Sequence, residues 1–193
     1  MIKLTIDEFL KNDKEYYSNK VLCFPTDTVF GIGVMDDENV NQALEKLYLI
    51  KQRDLNKPIA LLVDSFDSIQ DKVIIDDKYL YLTKLWPGAL TIIFKKKSKD
   101  YFTYVEKDTI GIRIPDSMVA LKILNHLGPI CTTSVNISGK EPLNTLDDIE
   151  KEFGNKIDIL ITTVNPLSKL SSTVVDISNG VLNILRQGDI IIK

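Results

Sequence analysis

The apolar positions of the chain change period several times, and each change marks an element. Val40, Ala43, Leu44, Leu47 and Ile50 recur at spacings of three and four, so "DDENVNQALEKLYLIKQR" reads as an amphipathic helix. The same period appears in "SMVALKILNHLG" and in "TLDDIEKEFG", where Thr145 caps the start and Gly154 the end. "TIDEFLKNDKEYY" opens on a capping box, Thr5 with Glu8 three residues on, before the apolar Phe9 and Leu10. A further helix from about Asp76 stops at Pro87 and Gly88. Short apolar runs between these predict strands at "VLCF", "PIALLV", "ALTIIFKK", "TIGIRIP", "PICTTS", "IDILIT", "STVVDI" and "VLNILR". "PIALLV" is continuous, which predicts cover on both faces, whereas "TIGIRIP" alternates and predicts one polar face. Helices interleave with strands early, and the last strands follow one another through turns at Asn165-Pro166 and Asn179-Gly180. The expected fold is α/β: a mixed sheet, parallel in part, with an antiparallel C-terminal portion, and the length fits one domain, or one domain with a small appendage. The pairs Asp36-Asp37, Asp76-Asp77 and Asp147-Asp148 fall at predicted helix starts, where they offset the helix dipole.

Composition narrows the chemistry. The 193 residues carry 24 basic and 27 acidic side chains, a net charge of −3, with 44% hydrophobic content. That balance argues against a surface built to grip a polynucleotide backbone. No apolar run reaches the length of a membrane span and the N-terminus lacks a signal peptide's apolar core, so a cytoplasmic protein with no membrane association is expected. Cys23 and Cys131 sit in separate apolar runs and read as buried free thiols. His126 is the one histidine, late in a predicted helix. Zinc sites and histidine-dependent triads are therefore poorly supported, and catalysis must rest on Lys, Arg, carboxylates, hydroxyls and backbone dipoles.

"CFPTDTVFGIG" ends an apolar strand with two hydroxyls, a carboxylate and two glycines, where the backbone can pass close to a ligand. Neither GxxxxGK[ST] nor GxGxxG is present. Polar and cationic groups nevertheless gather at element ends: Thr26 and Thr28, Lys51, Arg53 and Lys57, Ser134 and Asn136, and Arg186. Arg113 lies within an apolar strand and needs a partner or a cleft. Each has an ordinary structural reading taken singly; "KQR", for example, suits a helix C-terminus. Together they describe a concave site with fixed cations, suited to an anionic ligand such as phosphate.

The blocks "FPTDTVFGIG", "KQR….KP", "LWPGALTIIF", "TIGIRIPD", "TTSVNISGKEP", "SSTVVDI" and "ILRQGDI" occur in the order found in the YrdC/Sua5 family, which the chain resembles from about Val21 onward. The resemblance is to the short form and implies a single YrdC-like domain: a twisted mixed sheet flanked by helices, with a concave active-site cleft. It implies threonylcarbamoyl-AMP synthesis, in which L-threonine, bicarbonate and ATP give threonylcarbamoyl-AMP and pyrophosphate for the t6A modification of tRNA. Lys51, Arg53, Thr109, Ser134, Asn136, Ser172 and Arg186 would then bind ATP, with Lys51 and Arg53 stabilising charge at phosphorus. Thr28, Arg113 and Thr132 would hold threonine. Mg²⁺ would arrive on ATP oxygens, since no carboxylate cage is evident. The implied partners are weakly bound tRNA and a downstream threonylcarbamoyl transferase machinery. The alternative is a YciO-like protein that binds double-stranded RNA or tRNA without this activity. Phe30, Leu62, "TTSVN" and Gln187 depart from the family's frequent tyrosine, the longer members' histidine, "PSAN" and proline.

Overall fold

A computed structural model describes residues 1–105, 107–163 and 167–192. Among the described residues eleven strands form one sheet. The strands are β1 (Ile2–Leu4), β2 (Leu22–Pro25), β3 (Phe30–Met35), β4 (Ala60–Leu62), β5 (Val73–Ile74) and β6 (Leu90–Lys96), then β7 (Thr109–Arg113), β8 (Ile130–Ser134), β9 (Ile159–Ile161), β10 (Thr173–Asp176) and β11 (Asn183–Arg186). Across the sheet they run β1-β9-β2-β3-β8-β4-β7-β6-β10-β11, with β5 paired to β6. Pairing is mixed: β1–β9, β2–β9, β4–β7 and β6–β10 are parallel and the others antiparallel.

The expected C-terminal antiparallel portion holds only for β10 and β11. β9 lies between β1 and β2, whereas β10 lies beside β6 at the other end of the sheet. The fully buried Ile159 and Ile161 pack under the N-terminal helices, and those partners, not the short spacing, fix where β9 goes. The predicted turn at Asn165-Pro166 falls outside the described residues; that at Asn179-Gly180 is present, with Gly180 at φ 78°.

The α-helices among the described residues are α1 (Ile6–Phe9), α2 (Val40–Lys51), α3 (Leu80–Thr83), α4 (Met118–Leu127) and α5 (Leu146–Phe153). The Thr5–Glu8 capping box forms as expected, Thr5 N donating to Glu8 Oε2 at 2.8 Å and Glu8 N to Thr5 Oγ1 at 3.3 Å. The first helix is nonetheless shorter than its sequence pattern, since a turn separates α1 from a 3-10 segment at Lys14–Tyr17. Asp147 and Asp148 occupy the first turn of α5, and Asp76 caps the 3-10 turn that leads into α3. Asp36 and Asp37 precede α2 without entering its first turn; Asp37 instead accepts from Asn39 N at 2.9 Å and Ser18 Oγ at 2.7 Å.

One sheet face meets α2 and α5 through a cluster that includes Cys23, Val34, Leu44, Leu61, Ile92, Phe94, Ile112 and Phe153. Both cysteines are buried thiols here, and burial pushes their pKa values up. On the opposite face α1 and α4 pack over Leu4, Leu22, Phe24, Met35, Leu62, Ile130, Ile159 and Ile161. Residues of the same parity further along, in β8, β4, β7, β6 and β10, border a cavity and not a helix. Ala60 is one of them, so the expectation of cover on both faces of "PIALLV" holds at Leu62, which packs with α4, and is corrected at Ala60, which borders the cavity.

Candidate active site

The cavity holds about 400 Å³, and its floor follows strand alternation. Register aligns Thr132, Ala60, Gly111, Ile93 and Asp176 in one row across five strands. A second row brings Leu62, Arg113, Thr91, Val174 and Arg186 side by side, given the same registers continued by one pair. Small and aliphatic residues make the floor, and cations and hydroxyls stand around it.

Arg113 is the most enclosed cation facing the cavity, 7% exposed. Its Nε donates to Gly88 O at 3.0 Å, one terminal nitrogen to Thr28 Oγ1 at 2.8 Å and the other to Asp27 Oδ1 at 2.6 Å. Burial lowers its pKa, and the Asp27 carboxylate opposes that shift. Thr28 is fully buried, and its hydroxyl also lies 3.0 Å from Thr26 Oγ1, which donates to Val29 O at 2.7 Å. The "PTDT" turn is thus held onto Arg113. Its glycines serve packing: a Cβ on Gly33 would stand 2.7 Å from Cys131 O, and one on Gly31 2.9 Å from Thr132 Cγ2. Gly31 also lines the cavity, as expected of a residue where the backbone passes close to a ligand, whereas Gly33 does not, and for it that reading is corrected.

Arg186 reaches the cavity from β11. Its Nε donates to Ser172 O at 3.0 Å and a terminal nitrogen to Ser172 Oγ at 3.1 Å, while Ser172 Oγ lies 2.9 Å from Thr91 Oγ1. Although the residue as a whole is exposed, partial desolvation of its guanidinium lowers the Arg186 pKa, and the nearby Arg113 charge lowers it further. Two guanidiniums sharing one cleft favour an anion between them.

Lys51 and Arg53, two residues apart, part company. Gln52 adopts a left-handed conformation, φ 50°, at the end of α2, which reverses the chain between them. Arg53 turns to the cavity wall, donating to Pro58 O at 2.8 Å, with its Nε buried and without a protein partner. Lys51 is 1% exposed and lies behind the wall, where its amine donates to Ser134 O and, at 3.0 Å each, to Asn136 O and Asn136 Oδ1. Burial and the Arg53 charge lower its pKa to about 7. Asn136 is likewise spent within its loop, its Nδ2 donating to Ile137 O at 3.0 Å and Lys140 O at 2.7 Å.

Of the ten residues expected at the site, Thr28, Arg53, Thr109, Arg113, Thr132, Ser134, Ser172 and Arg186 line the cavity. Lys51 and Asn136 do not. Sequence reasoning missed Asp27 as the partner of Arg113, although it stands beside Thr28 and the strand-borne arginine demanded a carboxylate. It also missed Lys107, Asp176 and the aliphatic Ile93, Val174 and Leu185. Asp176 shares parity with Val174 in β10, a signal legible once Ser172 was placed. Among the described residues no cluster of three His, Cys, Asp or Glu could hold a metal ion.

A family model named Sua5/YciO/YrdC, described as telomere recombination, matches residues 15–188. The chain belongs to the Sua5/YciO/YrdC family. Its relatives include a Methanocaldococcus jannaschii protein provisionally named a threonylcarbamoyl-AMP synthase, 37% identical over 96% of this chain and 87% of that one. The threonylcarbamoyl-AMP synthase of Photorhabdus laumondii is 29% identical over 74% of this chain and 78% of its own. Pyrococcus abyssi Sua5, solved in complex with L-threonine, superposes with a TM-score of 0.82 at 27% identity. That match covers 97% of this chain but 58% of the Sua5 chain. Escherichia coli YciO shares the fold, with a TM-score of 0.79 at 22% identity over 97% and 93% of the two chains. The Sua5/YciO/YrdC sheet, mixed in direction and helix-flanked, is therefore the architecture expected from the sequence blocks.

Proposed function

We propose that the chain is an L-threonylcarbamoyl-AMP synthase acting in the cytoplasm, a nucleotidyltransferase that supplies the t6A modification of tRNA. The observation that carries this reading is the cavity in which Arg53, Arg113 and Arg186 converge over an aliphatic floor. A carboxylate, bicarbonate and a triphosphate are the anions of the reaction. Arg113, fixed by Asp27 and Thr28, suits the threonine carboxylate; Arg186 and Arg53 suit the phosphates. The buried Arg53 Nε, without a protein partner, is the donor a phosphate oxygen satisfies. Thr109, Ser134 and Ser172 add neutral hydrogen-bonding groups along the wall.

In this reaction the free amine of L-threonine captures bicarbonate as a carbamate, releasing water. The carbamate oxygen attacks the α-phosphorus, the bond to the bridging oxygen breaks, and pyrophosphate leaves. Positioning and charge neutralisation carry most of such a step, which suits a site without histidine. Among the described residues Asp176 is the carboxylate lining the cavity, with Asp27 paired to Arg113 beside it, too few for a protein-built magnesium cage. Mg²⁺ would be carried by the ATP oxygens and would supply charge neutralisation when bound. The relatives' names and the threonine complex of P. abyssi Sua5 support the same reading.

The test is pyrophosphate release from Mg-ATP, with L-threonine and bicarbonate added separately and together. Release that requires both is the expected result. Release indifferent to threonine, in a protein that binds tRNA tightly at physiological salt, would sink the proposal in favour of an RNA-binding role. The weak tRNA contact proposed here has a shallow salt dependence, as the acidic net charge requires.

A further inference from the structure

Lys51 ends α2 with no N–H left to offer a ligand. An ammonium has three donors, and all three point at oxygens of one short segment: Ser134 O, Asn136 O and Asn136 Oδ1. The tie runs both ways, because Ser138 N donates to Lys51 O at 2.9 Å. Asn136 spreads the constraint, its Oδ1 accepting from Ser134 Oγ at 2.7 Å as well as from Lys51. The backbone that follows β8 is thus knotted to the end of α2, and Ser134 is the member of the knot at the cavity wall.

We propose that Lys51 is a positioning residue: it holds residues 134–136 in the conformation that presents Ser134 to the cavity and touches no ligand itself. A lysine serving phosphate directly needs a free donor and a path to the cavity, and Lys51 has neither at 1% exposure. The charged or titratable groups facing it are Arg53, beyond the Gln52 turn, and the Cys23 thiol from β2. Among the described residues no carboxylate acts on it, and its donors go to these carbonyl-type oxygens. The division of labour within "KQR" follows: Arg53 faces the ligand and Lys51 shapes the wall. This role rests on the proposed ATP-dependent reaction only for the identity of the ligand that Ser134 meets.

The experiment is amide hydrogen exchange on ligand-free wild type and Lys51→Met, followed by steady-state kinetics on both. Lys51→Met is expected to speed exchange across residues 134–140 by about tenfold or more, with β2 and α4 unchanged. The KM for ATP is expected to rise by about tenfold, more than kcat falls. Unaltered exchange in the 134–140 segment overturns the proposal. Should Lys51→Met fail to fold, competitive acetylation of the wild-type lysines decides the question. Lys51 is expected to react about a hundredfold more slowly than exposed Lys99, with or without Mg-ATP. Rapid labelling of Lys51 that Mg-ATP suppresses would mean a direct phosphate contact and end the positioning role. A loosened segment in a protein whose wild type never consumes ATP would instead retire the proposed reaction and leave the positioning role standing.

Discussion

Arg113 leaves β7 into the cavity with its three hydrogen-bonded partners supplied by two separate loops, the Asp27–Thr28 turn and the carbonyl of Gly88. A guanidinium so enclosed is tolerable only while its countercharge stays, because desolvation costs more than a lone Coulomb contact returns. Asp27→Asn is therefore expected to lose about 3–5 kcal/mol of stability in urea melts, far more than an exposed pair is worth. A loss below about 1 kcal/mol would show that water screens the pair. Lys51 carries the second residue-level prediction, and its sign follows from a pKa lowered to about 7 by burial and Arg53. The unfolded chain holds this proton up to about pH 10.4, so between 7 and 10.4 unfolding takes up a proton. The penalty of burying the charge is thus complete below pH 7, and stability rises with pH across that window, by up to about 1.4 kcal/mol per unit from this group. The stability of wild type relative to Lys51→Met should climb from pH 7 to 9 in paired denaturation curves; parallel pH dependences would count against the shift.

At the scale of elements, two glycines on the cavity-facing parity make opposite demands. In β3, a Cβ on Gly33 meets Cys131 O and Thr132 Oγ1 at 2.7 Å and Ile130 Cγ2 at 2.8 Å, so strand β8 must move. In β7, a Cβ on Gly111 meets only Thr91 Cγ2 at 3.6 Å and Ile93 Cγ1 at 3.7 Å, which is ordinary contact. Gly33→Ala is expected to cost about 1–3 kcal/mol or more through overpacking. Gly111→Ala should leave the melting temperature within a degree or two yet raise KM, because its methyl group occupies the cavity floor; matched melts and kinetics on the two variants check both. The helix α2 and the alternation of β7 were legible because periodicity depends on local burial alone. The site was legible where the chain itself announces a conflict, as with an arginine inside an apolar strand. What sequence could not convey was the side on which a residue of a turn lies. Lys51 and Arg53 look like one cationic pair until the left-handed Gln52 separates them. The crossing of β9 to the far side of the sheet was hidden for a related reason: the short spacing to β10 resembles a hairpin, and only the burial of Ile159 and Ile161 under α1 and α4 decides otherwise.

Across the whole molecule, the cavity is assembled from chain segments as distant as Thr28 and Arg186, so a ligand there joins the ends of the fold. The weakest of the contributing elements is β11. Its four residues are all exposed, and among the described residues its sheet partner is β10 alone. Arg186 is held back to Ser172 by two hydrogen bonds, and the repulsion from Arg113 works against its approach to the cleft. An anion lying between the two guanidiniums removes that repulsion and adds contacts to both. Ligand binding should therefore stabilise the molecule as a whole and β11 most of all. Mg-ATP with L-threonine, each at about a hundred times its Kd, contributes about 2.7 kcal/mol per ligand by mass action. At about 2–4 °C per kcal/mol for a chain of this size, the melting temperature should rise by about 10–20 °C for the pair. Amides of β11 should exchange fastest in the sheet without ligand and slow by about tenfold or more with it. Arg186→Ala is expected to abolish most of the nucleotide's share of the shift and the protection of β11, while the threonine share, which belongs to Arg113, persists. Equal loss of both shares would mean that the two arginines grip one ligand together, and the assignment of carboxylate to Arg113 and phosphate to Arg186 would have to be abandoned.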